Sequence, residues 1–367
     1  MFQFSVSLVL IIGTVVIFNQ LMFMKTKKLG FDSGHIVTVR VSNVRLQDSL
    51  NSIKQEFQKL SGIESVALAS HIPSWGARHN VCLPEGFELP DSQAMGIIHV
   101  DHDFLPTLGI ELAEGRNFSL DFPSDPAQSV LINETAARTF GWNDPIGKKI
   151  RELDGRKITK TVIGVVRDYH TVSARQAIEP ILISNEPQDF KILVIKTTPG
   201  NVARALDALE NSWNGVTAGA PFEFYFLDDS IDSQYRSEER LGRIFSYFSL
   251  LAIFIACLGL LGMATYAVEQ RTKEIGIRKV MGATHSNLLV LLSKDFIKLF
   301  IFANMAAWPI AYLFARRWLQ EFAYQAPLSI LFFAGSALLV LFVGFLTTSY
   351  QLVKAAWTHP AESLRYE

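Results

Sequence analysis

Four stretches of the chain lack charged side chains over lengths that a soluble core helix does not need. Residues 1–24 and 244–268 carry none, 299–315 form a shorter run between Lys298 and the adjacent Arg316 and Arg317, and 322–353 are again uncharged. A helix rising about 1.5 Å per residue crosses a hydrocarbon layer of about 30 Å with about 20 residues. The first, second and fourth runs reach that length outright. The third reaches it when its flanking basic side chains snorkel to the interface, which predicts a helix over 295–315 with a kink at Pro309. In the fourth run Pro327 suits a first helical turn, so the helix is expected at 327–353. The pattern predicts an α-helical membrane protein with four transmembrane helices in a one-plus-three arrangement, with a large polar insert between the first and second.

The first run has no basic segment before it, no small-residue cleavage pattern after it, and an apolar length beyond a usual signal-peptide core. It reads as an uncleaved anchor. The span begins at Met1 with no lead, as a natural start or as a piece of something longer. Four spans place the N-terminus, the 269–298 loop and the tail 354–367 on one side, and the 25–243 region with the 316–326 loop on the other. Basic residues near the spans would orient the chain. The first side has Arg271, Lys273, Arg278, Lys279, Lys294, Lys298, Lys354 and Arg365; the second has Lys25, Lys27, Lys28, Arg236, Arg240, Arg243, Arg316 and Arg317, a tie that leaves orientation open.

Between the first two spans, residues 30–240 alternate strand-like and helix-like patterns. A β-branched run at 36–41 precedes 46–60, where Leu46, Leu50, Ile53, Phe57 and Leu60 follow a helical period. Further strands are expected at 65–69, 96–100, 129–132, 161–166, 192–197 and 222–226, and helices at 134–140 and 202–213. This is an α+β domain. Segments 73–92 and 119–128, rich in Pro, Ser, Gly and Asp, read as loops.

Composition sharpens the class. The 367 residues are 49% hydrophobic and 19% charged, with Lys+Arg 34 against Asp+Glu 35, which excludes intrinsic disorder and nucleic-acid binding driven by bulk positive charge. Cys82 and Cys257 alone exclude a disulfide framework. The segment GWNDPIGKK at 141–149 has five residues between its glycines where a phosphate loop has four, and Lys149 stands where Ser or Thr should hold magnesium. HVDHD brings His99, Asp101, His102 and Asp103 together, yet an extended segment sends neighbours to opposite faces and no second ligand cluster has matching spacing. They read as surface polar residues at a strand end, and no metal or other cofactor is expected. Asp168 and His170 in RDYH invite an acid–base pair, but no nucleophile sits in a recognisable motif, so both read as structural or interface residues.

The segment EQRTKEIGIRKVMGAT at 269–284 follows the second span. Glu269 with Lys273, and Glu274 with Arg278, are Glu-first pairs four apart that suit an exposed helix. Ile275, Ile277, Val280 and Met281 add apolar surface. By itself this is an amphipathic helix at a membrane face, for which interfacial anchoring is the plain reading.

That segment resembles the signature of FtsX-like and MacB-type permeases, membrane subunits of ATP-binding cassette (ABC) systems. VDHDFLPTLGIELAEGRNFS, SVLINETAARTFGWNDPIGKKI and VIGVVRDYHTVSARQAIEP are similar to the family's extracytoplasmic core, and THPAESLRYE to its C-terminus. The resemblance implies a multi-pass inner-membrane protein with a cytoplasmic N-terminus and a periplasmic MacB-like core domain over 30–240. It further implies a cytoplasmic coupling helix over 269–286 that rests on a separate ABC ATPase subunit. Coupling would fall on Arg271, Lys273, Glu274, Ile275, Gly276, Ile277, Arg278, Lys279, Gly282 and Ala283. The resemblance also implies dimerisation with a second permease unit, as a homodimer or as the other half of a double-length chain, which would suit the abrupt start at Met1; a periplasmic partner is left open. The chain would have no catalytic residue of its own and act in an ABC-type exporter or mechanotransmission complex. Regulation of an envelope enzyme or lipoprotein release is the alternative within the family. An ATP-independent, membrane-anchored sensing or binding module is the alternative outside it, with a membrane-bound hydrolase behind both.

Overall fold

The computed structural model describes residues 2–41, 43–153, 158–217, 219–270, 281 and 285–357. The chain divides into two compact units, Lys27–Arg236 and Met1–Thr26 with Ser237–Glu367.

In the first unit β-branched runs form the centre of a four-stranded antiparallel sheet. Strand β1 (Ile36–Arg40) pairs with β10 (Ile192–Thr197) from Ile36↔Lys196 to Arg40↔Ile192, β2 (Ile63–Ala69) lies beyond β10, and β11 (Phe224–Phe226) flanks β1. Alternation puts Val37, Val39, Val66, Leu68, Leu193 and Ile195 into one core. Helices α3 (Leu50–Gln58) and α7 (Val202–Thr217) add Leu50, Ile53, Phe57, Leu209 and Trp213 to it. Leu50, Ile53 and Phe57 are three and four apart, which aligns them on one helical face. Burying each large apolar side chain contributes about 1.5–3 kcal/mol. The Trp213 indole N–H donates to the Ala220 carbonyl at 2.8 Å, so the ring enters the core with its polar atom satisfied.

The second sheet holds seven strands in the order β5 (Leu112–Gly115), β8 (Thr159–Val166), β6 (Ser129–Asn133), β9 (Ile181–Ser184), β4 (Gln93–His99), β3 (Arg78–Pro84) and β7 (Lys149–Glu152). Strand β7 also pairs with β8, through Lys149↔Thr161 to Arg151↔Thr159, so the strands from β8 to β7 close a ring that leaves no open edge among them. Cys82, Met95, Ile97, Val130, Ile132, Ile150, Val162 and Leu182 share its core with Ala136, Ala137 and Phe140 from α6 (Glu134–Thr139) or next to it. Two expected loops contain regular structure. Residues 73–92 hold β3, and 119–128 hold the short helix α5 (Asp125–Gln128). Strand β3 is exposed at its start and held by two neighbours rather than by apolar alternation, which is why its sequence looks like a loop. Three further elements of this unit are short: α2 (Val44–Gln47), α4 (Phe104–Leu108) and α8 (Leu227–Ser233).

The other unit is built on α1 (Phe2–Thr26), α9 (Arg236–Gln270), α10 (His285–Leu319) and α11 (Ile330–Trp357), each with a stretch long and apolar enough to cross a membrane. Helices α9 and α10 run past their uncharged segments at both ends, and in the first turn of α9 Glu239 accepts from Lys25 at 2.7 Å. Ala303, Ala307, Ala311 and Ala315 repeat every fourth residue on α10 and pack in clusters with Phe4, Leu8 and Ile11 or Ile12 and Val16 of α1. Small residues let helix backbones approach where no hydrophobic force separates helix from lipid. Polar side chains pair between elements: Thr14 with Ser249 at 2.9 Å, and the Gln20 carboxamide with both the Tyr324 carbonyl and the Ala326 N–H at 2.8 Å.

Strand β8 crosses the backbone of the segment after β5 too closely for any side chain. A Cβ at Gly164 would stand 2.4 Å from the Arg116 carbonyl oxygen, and one at Gly115, where φ is +75°, 2.3 Å from that of Ile163. We predict that Gly164→Ala costs about 1–3 kcal/mol through forced backbone displacement, read as a lower melting temperature of the purified chain. An unchanged melting temperature would show that this crossing relaxes freely.

Candidate functional site

The ten positions expected to couple the chain to an ATPase, Arg271, Lys273, Glu274, Ile275, Gly276, Ile277, Arg278, Lys279, Gly282 and Ala283, lie outside the described residues. Their borders are described. Helix α9 ends at Gln270, whose side-chain amide donates to the Tyr266 hydroxyl at 2.8 Å, Met281 is 74% exposed, and α10 begins at His285. The segment therefore joins the second and third apolar helices.

HVDHD is not a surface strand end, contrary to expectation. His99 and Asp101 are only 4% and 6% exposed, because β4 is an inner strand of its sheet. Lys54, reaching from α3, donates to Asp101 at 2.6 Å and to Asp103 at 2.5 Å; Asp101 also accepts from the backbone N–H of Leu68 at 3.0 Å. Burial pushes the Asp101 carboxyl above its ordinary value, a shift that the Lys54 ammonium opposes. One buried ion pair thus ties a helix of the four-stranded sheet to the end of a strand in the seven-stranded one. His102 stays near the surface, 3.3 Å from Asp103.

His99 belongs to a second polar cluster that sequence spacing does not reveal. Its Nδ1 lies 2.7 Å from the Ser184 hydroxyl and 3.9 Å from Glu186, and its Nε2 lies 3.8 Å from Asp189. These three ionisable groups are close enough to hold a cation. The buried Lys160 ammonium, 2.6 Å from Glu186, already brings positive charge there, which makes the cluster a packed ionic network.

Asp168 and His170 do not form a reacting pair. Asp168 accepts from the Thr135 N–H at 2.8 Å, the Thr135 hydroxyl at 2.9 Å and Arg138 at 2.6 Å, fastening α6 to the chain after β8. Asn133 caps the same helix by accepting from Ala136 at 3.0 Å, and also accepts from Ile181 of β9 at 2.9 Å. The His170 ring is buried and pushed down to about 4, chiefly by desolvation, with the Lys27 charge adding to the effect and Asp168 opposing it. In GWNDPIGKK, Gly141 and Gly147 take φ of +66° and +86° in the connection from α6 to β7, and Lys149 enters the β7 ladder. These glycines shape turns.

Two family models cover the chain in order: the MacB-like periplasmic core domain matches residues 4–211 and the FtsX-like permease C-terminal matches residues 246–360. The chain belongs to the FtsX/MacB-type ABC permease family. Among relatives of this permease is the macrolide export ATP-binding/permease protein MacB of Chromobacterium violaceum, 26% identical over 74% of this chain and 43% of the relative. The protein of the same name from Bdellovibrio bacteriovorus is 23% identical over 89% of this chain and 51% of the relative. The chain spans about half the length of the curated relatives it matches. The crystal structure of the periplasmic region of MacB from Actinobacillus actinomycetemcomitans aligns over 55% of this chain and 92% of its own, with a TM-score of 0.40 and 17% identity.

In this permease's core domain His170 is the group that acid should report. Its ordinary value is near 6.5, and folding lowers it to about 4. The neutral ring is the folded form, so the group is silent above pH about 6.5, and stability falls as the unfolded chain takes up the proton between pH about 6.5 and about 4. After discounting for solvent screening, the loss is about 2 kcal/mol. We predict that the melting temperature of wild type falls more steeply than that of His170→Gln between pH 7 and 4.5. Parallel pH profiles would contradict the assignment.

Proposed function

We propose that the chain is the permease subunit of an ABC-type exporter or mechanotransmission complex in a Gram-negative inner membrane. In this reading the first apolar helix crosses outward from a cytoplasmic N-terminus, residues 30–240 stand in the periplasm, and the other three helices return the chain through the membrane. The segment 269–286 is a cytoplasmic coupling helix seated on a separate ABC ATPase, and a second permease unit completes the complex. ATP hydrolysis in the partner moves the helices, and the periplasmic domains transmit that movement.

The observation that carries this reading is the ordered match of core-domain and permease models over 4–211 and 246–360, with EQRTKEIGIRKVMGAT inside the second match. The relatives' names join export, ATP binding and permease in one protein. Within these 367 residues no glycine-rich loop followed by Lys and Ser or Thr occurs, so ATP binding in this reading falls outside them.

The test separates coupling from anchoring. An exposed pair four residues apart is worth only about 0.2–0.5 kcal/mol, so exchanging its charges should leave a simple interfacial anchor intact. Glu274→Lys combined with Arg278→Glu keeps the attraction and net charge and inverts the pattern shown to a partner. In reconstituted membranes we expect normal insertion with loss of ATPase binding or of ATPase stimulation. Unchanged binding and stimulation would move the balance to an ATP-independent sensing or binding module.

A further inference from the structure

We propose that the groove between α10 and α11 holds one anionic phospholipid, with an acyl chain against its aromatic wall and the phosphate at Arg316 and Arg317. The groove encloses about 350 Å³ and is lined by Trp308, Pro309, Tyr312, Leu328, Ile330 and Phe333. Apart from the Tyr312 hydroxyl and the Trp308 indole N–H, every lining side chain is apolar. The inference goes beyond ATPase coupling and requires only that these helices lie in a bilayer.

The groove is built by polar bonds that hold its walls. The Trp308 indole N–H donates to the Asn304 side-chain oxygen at 2.9 Å, and the Asn304 amide in turn donates to the Phe300 carbonyl at 2.8 Å. This fixes the Trp308 ring against Phe333, centroid to centroid 5.8 Å. On the other wall Gln20 clasps Tyr324 and Ala326, which anchors the turn that delivers Leu328. These bonds hold the walls apart, and in a membrane an acyl chain is the abundant apolar occupant of such a groove.

Charge selects the headgroup. Arg316 follows Tyr312 by four residues and therefore lies above it on the same face of α10, about 10 Å along the helix from Pro309. Both Arg316 and Arg317 are exposed, and among the described residues neither has a carboxylate partner. A guanidinium offers a phosphate two parallel N–H donors, and two such groups at a membrane interface attract an anionic lipid over a zwitterionic one. A lipid standing along α10 meets the groove with its chain and the arginines with its phosphate.

Native mass spectrometry of the full chain in mild detergent, titrated separately with phosphatidylglycerol, cardiolipin and phosphatidylcholine, tests this. Expected is retention of a single anionic lipid with about a thirtyfold preference over phosphatidylcholine. Arg316→Gln with Arg317→Gln, both at exposed positions, should abolish the preference, and Leu328→Trp, which fills the groove, should lower retention of every lipid. Arg240→Gln with Arg243→Gln, exposed arginines on α9, should change neither. Comparing phosphatidylglycerol with cardiolipin identifies which anionic source fits. Equal retention of phosphatidylcholine, an equal loss in the α9 variant, or full retention after the groove is filled in a folded chain would each overturn the proposal.

Discussion

Hydrocarbon offers a peptide group no hydrogen-bond partner, so any segment that crosses it must satisfy its own backbone, and here that means helix. The helical unit is organised around this constraint down to its side chains. Thr14 donates to the Leu10 carbonyl at 2.8 Å and Ser336 to the Phe332 carbonyl at 2.7 Å, returning hydroxyls to their own helices. Gln20, with a donor and an acceptor to satisfy, spends both on the backbone of the turn between α10 and α11. Because burial of apolar surface drives little association in lipid, contact rests on close approach, and the alanine seam of α10 supplies it.

The soluble unit follows the opposite rule, since there water drives apolar faces together and makes a buried charge costly. Its two sheets each bury an independent core, and the joint between them combines backbone hydrogen bonds, from Ser70 to His99 and from Asp101 to Leu68, with a buried ion pair. Lys54 and Asp101 are buried together, and removing either would leave an uncompensated charge in a place built for two. The His99, Glu186 and Lys160 group repeats this within the second sheet.

What was legible in the sequence follows from these two regimes. Apolar length marked the four long helices, and β-branched runs marked β1 and β10, which the structure places at the centre of their sheet. Strands β3, β5, β7 and β9 escaped notice for separate reasons. β7 reads KIRE, three of its four residues charged; β5 has four residues, three of them exposed; β9 has four residues, all buried, and so no alternation; β3 depends on partners far along the chain. HVDHD was misread as exposed because the residue that neutralises it, Lys54, sits 47 positions from Asp101 on a helix face that looks polar. Glu186 and Asp189 gave no signal, since only the β4–β9 pairing brings them to His99. At residues 269–284 only the wording of the sequence was legible, and what it carries is the family resemblance.

We propose that the segment joining α9 to α10 works as a contact for an ATPase. Photo-crosslinking from a reactive amino acid placed at Lys279, in living cells, reads that contact directly. We expect a covalent adduct with an ABC ATPase that disappears when the crosslinker is moved to Asp91 in the core domain. Adducts with lipid alone at Lys279, in cells that express the cognate ATPase, would contradict it.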